Sequence, residues 1–200
     1  MLISETMIDS SYPNAHFSIP GYSLYRNDRK KGGGGIMALV PSSRTKKSLK
    51  PIKNYKTLEL MALEITTDAR NMVIIGIYRP PRNLCGDYKL LLENELSQVC
   101  NWASLQSNSV VIIGDLNLDR LRPDKREGKL LLDLETEQGF TCLITKPTRV
   151  EHRGTITGHS LNDVFLTHRP EFFKQSGNHY PALSDHALIF RYSTGSCEIK

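Results

Sequence analysis

Residues 109–119, Ser-Val-Val-Ile-Ile-Gly-Asp-Leu-Asn-Leu-Asp, constrain this chain more than any other stretch. The four consecutive β-branched residues Val110, Val111, Ile112 and Ile113 form an apolar run suited to a strand buried on both faces, and Gly114 ends it. Asp115 and Asn117 follow at the strand end. Two residues apart, they can project to the same side, beyond the carboxyl end of the strand, where open α/β sheets place their sites. A carboxylate and an amide in that position suggest chemistry on a charged substrate. Taken alone, the same two residues could simply start a turn after a core strand.

The chain in order supplies further strands. Residues 1–3 form a short apolar run that leads directly into Glu5, as a core strand with an acid at its end. Residues 22–26 and 36–40 read as two strands of a hairpin. Its tip carries Arg26, Arg29, Lys30 and Lys31 and then four glycines, Gly32 to Gly35. No Gly-Lys-Ser/Thr follows these glycines and a strand comes next, so both nucleotide-loop templates fail. Strands are predicted at 58–65 and 72–78, with a turn at 66–71 between them, and Pro80 and Pro81 close the second.

Leu91, Leu92, Leu96, Val99 and Trp102 make one apolar stripe, which predicts a helix over 87–104 with Asp87 as its N-cap. That helix would connect the strand ending at Tyr78 to the strand beginning at Val110, as in a βαβ unit. A second helix is predicted at 127–138, burying Leu130, Leu131 and Leu134 and stopped by Gly139. Short strands are expected at 142–144 and 161–167, with an exposed polar loop at 151–159 between them. Near the end, Leu183-Ser184-Asp185-His186 turns into an apolar strand that runs to Tyr192.

Length and charge narrow the class. At 200 residues the chain can bury a sizeable core as a single domain. No stretch approaches the ~20 apolar residues of a membrane span, and no signal segment opens the chain, so an intracellular protein without a membrane partner is expected. Cys85, Cys100, Cys142 and Cys197 are scattered and are expected as free thiols. The net charge of +5 is mild but clustered, at the hairpin tip and again at Arg44, Lys46, Lys47, Lys50 and Lys53. Such clusters suit phosphate backbones, as they also suit a solvated surface.

The order Glu5, Tyr78, Gly114-Asp115-Leu116-Asn117, Asp163 and Ser184-Asp185-His186 resembles the endonuclease/exonuclease/phosphatase superfamily, whose fold is that of deoxyribonuclease I. Within it, the chain looks most similar to the apurinic-type endonuclease domains of non-LTR (LINE-type) retrotransposons. The residues that point there are Ser4-Glu5-Thr6, the basic-glycine hairpin, Gly76-Ile77-Tyr78-Arg79-Pro80-Pro81 and Lys146-Pro147-Thr148-Arg149. The resemblance implies an α+β, four-layer sandwich of two packed mixed sheets flanked by helices. It implies Mg²⁺, with Mn²⁺ as an alternative, for cutting phosphodiesters by in-line attack of water. A reverse transcriptase domain in a longer parent polyprotein would be a partner, and action on duplex DNA would place the protein in the nucleus.

By the same resemblance Glu5 is a metal ligand and Asp185 lies beside the metal. A carboxylate is the hard oxygen donor that Mg²⁺ prefers. Asp115 would orient or deprotonate the attacking water, Asn117 and Tyr78 would contact the phosphate, and His186 would face it, oriented by Asp163. Arg26, Arg29, Lys30, Lys31, Arg79 and Arg149 are the expected nucleic-acid contacts. The family begins with a strand carrying Asn or Gln, and Glu5 sits on what should be the second strand. Residues 1–200 are therefore expected to be one domain that is incomplete at its N-terminus. That leaves a catalytically impaired DNA-binding remnant as the alternative to an active endonuclease. A phosphatase or phosphodiesterase of the same fold ranks lower, because no Pro-x-Trp-x-Asp-Arg motif occurs.

Overall fold

The computed structural model describes residues 1–51, 53–66, 71–181 and 184–193. The expected turn at 66–71 falls largely outside them, as do Leu183 and Cys197. The apolar run becomes β7 (Val110–Asp115) and occupies the interior of a six-stranded mixed sheet. Its neighbours are β6 (Asn71–Tyr78), which is parallel to it, and β11 (Asp163–Thr167), which is antiparallel. The sheet continues through β5 (Glu59–Thr66) to β4 (Thr45–Leu49) on one side and to β8 (Thr141–Cys142) on the other.

The parallel pair needs a crossover, and α1 (Gly86–Gln106) supplies it. Leu92, Leu96, Val99 and Trp102 bury one face of this helix against the sheet, as the stripe predicts. The helix starts at Gly86 with Cys85 in the cap position and no side-chain cap, so Asp87 is not the N-cap. Asp87 lies in the first turn, where its negative charge complements the helix dipole. The second helix, α2 (Arg126–Gln138), buries Leu130, Leu131 and Leu134, and Gly139 ends it in the left-handed conformation at φ 67°.

Alternation along the strands separates two cores. On the helix side, Leu60, Ala62, Val73, Ile75, Ile77, Val110 and Ile112 pack with both helices. On the other side, Met61, Leu63 and Tyr78 pack against Ile36, Ala38 and Val40 of β3 (Ile36–Pro41). β3 is the middle of a second, three-stranded sheet with β1 (Leu2–Ser4) and β2 (Tyr22–Asn27). The result is the expected α+β sandwich of packed sheets with helices outside.

Two further hairpins complete the chain. β9 (Arg149–Arg153) pairs with β10 (Ile156–Ser160), so residues 151–159 are not the loop that their polarity suggested. An exposed hairpin has no buried face and so carries no period-two apolar signal. The second hairpin joins β12 (Phe173–His179) and β13 (Leu188–Ser193). Cys85, Cys100 and Cys142 are free thiols. Among the described residues no helix is long and apolar enough to cross a membrane.

Candidate active site

Strand register delivers the first part of the site. Tyr78 of β6 stands opposite Asp115 of β7, and Asp115 stands opposite Asp163 of β11. Residues paired in register project from the same face, so a phenol and two carboxylates line up at the sheet end. β7 can approach β6 this closely only because of Gly114, whose φ is 147° and where a Cβ would lie 1.8 Å from the Ile77 carbonyl oxygen. Past Asp115 the chain turns sharply, with Asn117 at φ 49°, a left-handed conformation that Asn tolerates. The Asn117 N–H donates to Asp115 Oδ1 at 2.8 Å. Its side-chain amide donates to the Arg79 carbonyl at 2.9 Å and to Asp115 Oδ2 at 3.2 Å.

His186 reaches this row from the far end of the chain. Its own N–H donates to Ser184 Oγ at 2.8 Å, the Val150 N–H donates to the Asp185 carbonyl at 2.9 Å, and the Ala187 N–H donates to the Thr148 carbonyl at 2.6 Å. These bonds stitch the Ser184-Asp185-His186 turn to the start of β9. The imidazole Nδ1 lies 2.8 Å from Asp163 Oδ2, which fixes the ring, and Nε2 lies 4.0 Å from Asp115 Oδ2. The hydrogen bond to Asp163 raises the His186 pKa against the opposing effect of burial, with the charges of Asp163, Asp115 and Asp185 adding to it. Burial, reinforced by the charge of Asp163, pushes the Asp115 pKa up to about 7.

Glu5 enters from the second sheet. It follows β1 in a left-handed conformation at φ 53°, and the Tyr78 hydroxyl donates to its Oε1. Burial first, and then that bond and the Glu5 charge, push the Tyr78 pKa up, so the phenol stays protonated. The glycine run is explained at the same place. A Cβ on Gly34 would fall 2.3 Å from Glu59 Oε1, and Glu59 in turn accepts the Gly35 N–H at 2.6 Å. Asp185 is exposed and accepts from Arg149 Nε at 2.7 Å. Burial works against ionisation of Asp185, but Arg149 outweighs it and holds the carboxyl below its usual range.

Two of the expected nucleic-acid contacts are spent inside the protein. Arg79 is only 1 % exposed, and its guanidinium donates to the carbonyls of Leu116 at 3.1 Å, Asn117 at 2.9 Å and Arg82. It braces the turn that presents Asp115 and Asn117, and is not placed to touch a substrate. Arg26 pairs with Asp28 and donates to the carbonyls of Tyr12 at 2.7 Å and Asp9 at 2.9 Å. It anchors the loop before β2. Arg29, Lys30 and Lys31 are exposed at the hairpin tip, with Arg29 3.0 Å from Glu59. Arg149 is shared between Asp185 and Glu151.

Two supporting residues escaped the sequence reading. The fully buried Thr148 accepts the N–H groups of Asn162 at 3.2 Å and Asp163 at 3.1 Å through its hydroxyl, and so sets the start of β11. Asp119 Oδ1 accepts from Leu161 at 3.0 Å and from Leu121 at 3.1 Å. Thr148 stands in the Lys-Pro-Thr-Arg segment already singled out, which was the one available signal.

Asp115, Asp163 and His186 bring their ligand atoms within 4.8 Å of one another. The Glu5 charge also bears on Asp115, raising its pKa further. A cluster this rich in carboxylates must take up either a proton or a cation, and its oxygen donors are those that a hard divalent ion accepts. The residues present therefore fit such an ion.

The family description Endonuclease-reverse transcriptase matches residues 72–190, and the chain belongs to that family. It is thereby placed in the endonuclease/exonuclease/phosphatase superfamily with the deoxyribonuclease I-like fold. Among solved structures the chain is similar to the endonuclease domain of TRAS1, a telomere-specific non-LTR retrotransposon. That match has 15% identity and a TM-score of 0.69, over 88% of this chain and 81% of that one. The 3'-5' exonuclease NExo from Neisseria meningitidis matches at 14% identity and a TM-score of 0.72, over 96% of this chain and 88% of that one. The AP endonuclease LMAP from Leishmania major matches at 13% identity and a TM-score of 0.68, over 96% and 78%. No curated protein sequence matches the chain.

Proposed function

We propose that this chain is a divalent-metal-dependent DNA endonuclease of the retrotransposon type, which nicks one strand of duplex DNA. The observation that carries the reading is the His186–Asp163 pair at 2.8 Å, set directly beside the buried Asp115. Asp115, with a pKa near 7, is suited to take a proton from water at neutral pH and return it. His186, whose protonated form the bond to Asp163 favours, offers Nε2–H to a phosphate oxygen. By the resemblance Asn117 and Tyr78 would position the phosphate, once their donors leave Asp115, the Arg79 carbonyl and Glu5.

Glu5, with Asp185 lining the same cavity, would hold Mg²⁺ or Mn²⁺, which when bound neutralises charge on the phosphate and the leaving oxygen. Arg29, Lys30 and Lys31 on the exposed hairpin tip, with Arg149 nearer the centre, would contact the duplex backbone. The family description supports a parent polyprotein that also carries a reverse transcriptase. Action on duplex DNA would place the protein in the nucleus.

The test is relaxation of supercoiled plasmid by the purified chain. Nicking with Mg²⁺, none with EDTA, and none by Asp115→Ala or His186→Ala is the expected result. Equal nicking by wild type and both variants overturns the reading. A DNA-binding remnant remains the second reading, favoured by the bare apolar side chains of Leu188 and Tyr192, which are 52% and 58% exposed. Salt-sensitive DNA binding without any cleavage would establish it.

A further inference from the structure

The sandwich opens along one side, between β2 at the margin of the small sheet and β4 and β5 at the margin of the large one. A cavity of about 600 Å³ lies in this opening, and its lining is rich in cations. Arg26 and Arg29 come from β2 and the hairpin tip beyond it, and Lys50, Lys53 and Lys56 from the segment that joins β4 to β5. The two acids among the lining residues are already engaged. Asp28 pairs with Arg26, and Glu59 is shared between Arg29 and the Gly35 N–H. The three lysines are exposed, and no ion pair holds them among the described residues.

These lysines stand on an anchored backbone. Glu95 of α1, only 1% exposed, accepts the N–H groups of Lys56 at 3.0 Å and Thr57 at 2.8 Å. The Lys53 ammonium lies 5.4 Å from the centre of the Tyr55 ring, which packs against the main core. Positive charge is thus presented at the cavity before any ligand arrives. The cavity also adjoins the candidate site. Glu59 lies in its wall and stands in register with Tyr78, which stands in register with Asp115. Two strand spacings of ~4.8 Å put that wall about 10 Å from Asp115. Tyr25 lines the cavity from β2 and gives it an aromatic surface.

We propose that this cavity holds an unpaired nucleic-acid strand, so that the substrate is duplex DNA carrying a single-stranded extension beside the scissile phosphate. Lysines at every third position of a connecting segment suit a ligand with several phosphates, and Tyr25 suits one with bases to stack. A small free anion would leave the aromatic surface and most of the volume unused. A duplex does not enter, because packed sheets lie about 10 Å apart and the major groove of a duplex is by itself about 12 Å wide. Binding of the strand stands on the cavity alone, whereas the statement about the substrate rests on the nuclease reading.

The probe is a fluorescein-labelled oligothymidylate of about eight nucleotides, titrated with the full chain in EDTA so that no cleavage intervenes. It should give a saturable rise in anisotropy. Lys50→Ala, Lys53→Ala and Lys56→Ala together should weaken binding about tenfold and lower its salt slope by about 2, the value for three phosphate contacts on a single strand. Binding of a blunt duplex should fall far less. The substituted side chains are exposed, and an unchanged melting temperature shows that the variant is folded. With Mg²⁺, the wild type should cut a duplex bearing the unpaired extension faster than a blunt one, and the triple variant should lose that preference. Absence of saturable strand binding, equal binding by the variant, or an equal loss on single strand and duplex overturns the strand site. Equal cutting of both substrates by the wild type overturns the statement about the substrate. Lysine-dependent strand binding without cleavage of any DNA overturns the nuclease reading and leaves the strand site established.

Discussion

Asp163 faces Asp115 directly across the β7–β11 ladder, and the His186 imidazole lies against both, 2.8 Å from one and 4.0 Å from the other. Like charges at opposed positions are unfavourable, so the pair persists by sharing a cation or by holding a proton. Both His186 and Asp115 accordingly bind protons more tightly than they would in water. The centre is therefore poised to exchange protons near neutral pH.

Asp163→Asn should return the His186 pKa toward its ordinary value, because the bond to Asp163 is the largest cause of its rise. NMR titration of the imidazole measures this directly. Plasmid nicking should fall by about 10²–10³, with the loss largest above the new pKa. An unchanged imidazole titration would contradict the geometry.

Asp115 makes stability depend on pH. Its folded pKa of about 7 lies above the ordinary 3.8, so its contribution is fully present below the lower value and is lost as pH rises through the upper one. Asp115→Asn should remove that loss and stabilise the chain at alkaline pH by about 2–4 kcal/mol, with little effect at acid pH. For the wild type, added Mg²⁺ should raise the melting temperature more at alkaline than at acid pH, since a cation held at Glu5, whose charge bears on Asp115, offsets the repulsion among ionised carboxylates there. Thermal melts across pH, with and without metal, test both statements.

Arg79 and the hairpin lysines should separate cleanly. Arg79→Ala leaves the buried carbonyls of Leu116 and Asn117 without donors and should cost about 2–4 kcal/mol, together with nicking activity. Lys30→Ala with Lys31→Ala should leave the melting temperature unchanged. It should weaken duplex binding across sequences and reduce its salt dependence. Chemical denaturation and binding at several salt concentrations give the two readouts.

Glu95, only 1% exposed on α1, accepts the N–H groups of Lys56 at 3.0 Å and Thr57 at 2.8 Å, and the Thr57 hydroxyl at 2.7 Å. Burial opposes its ionisation, but these donors outweigh burial and hold its pKa below the usual range. The stabilisation is present above the ordinary carboxyl pKa and is lost as pH falls through the lowered one. Glu95→Gln should cost about 1–3 kcal/mol at neutral pH, measured by urea denaturation, and the difference should shrink in acid.

Much of the frame was legible locally. The β-branched run at Val110 to Ile113, the α1 stripe and the Gly139 stop each encode an element within a few residues. The elements that were missed lack such a code. β4, Thr-Lys-Lys-Ser-Leu, is a lysine-bearing edge strand, and β9, β10 and β12 are largely polar. Edge strands and exposed hairpins are kept polar because apolar edges invite further pairing, so they read as loops.

By itself the sequence determined which chemical groups this protein possesses and which of them flank strands: Glu5, Tyr78, Asp115, Asn117, Asp163 and His186. Only the tertiary structure decided which groups meet. The line of Tyr78, Asp115 and Asp163 follows from register between strands far apart in the chain, and a slip of one residue would turn each to the opposite face. The burial of Arg79 was equally hidden, because a guanidinium beside two prolines looks the same in sequence whether it faces DNA or three carbonyl oxygens. Hydrogen-bond partners of a long polar side chain are set by the backbone that folds around it, and that backbone comes from residues 116–117, almost forty positions away.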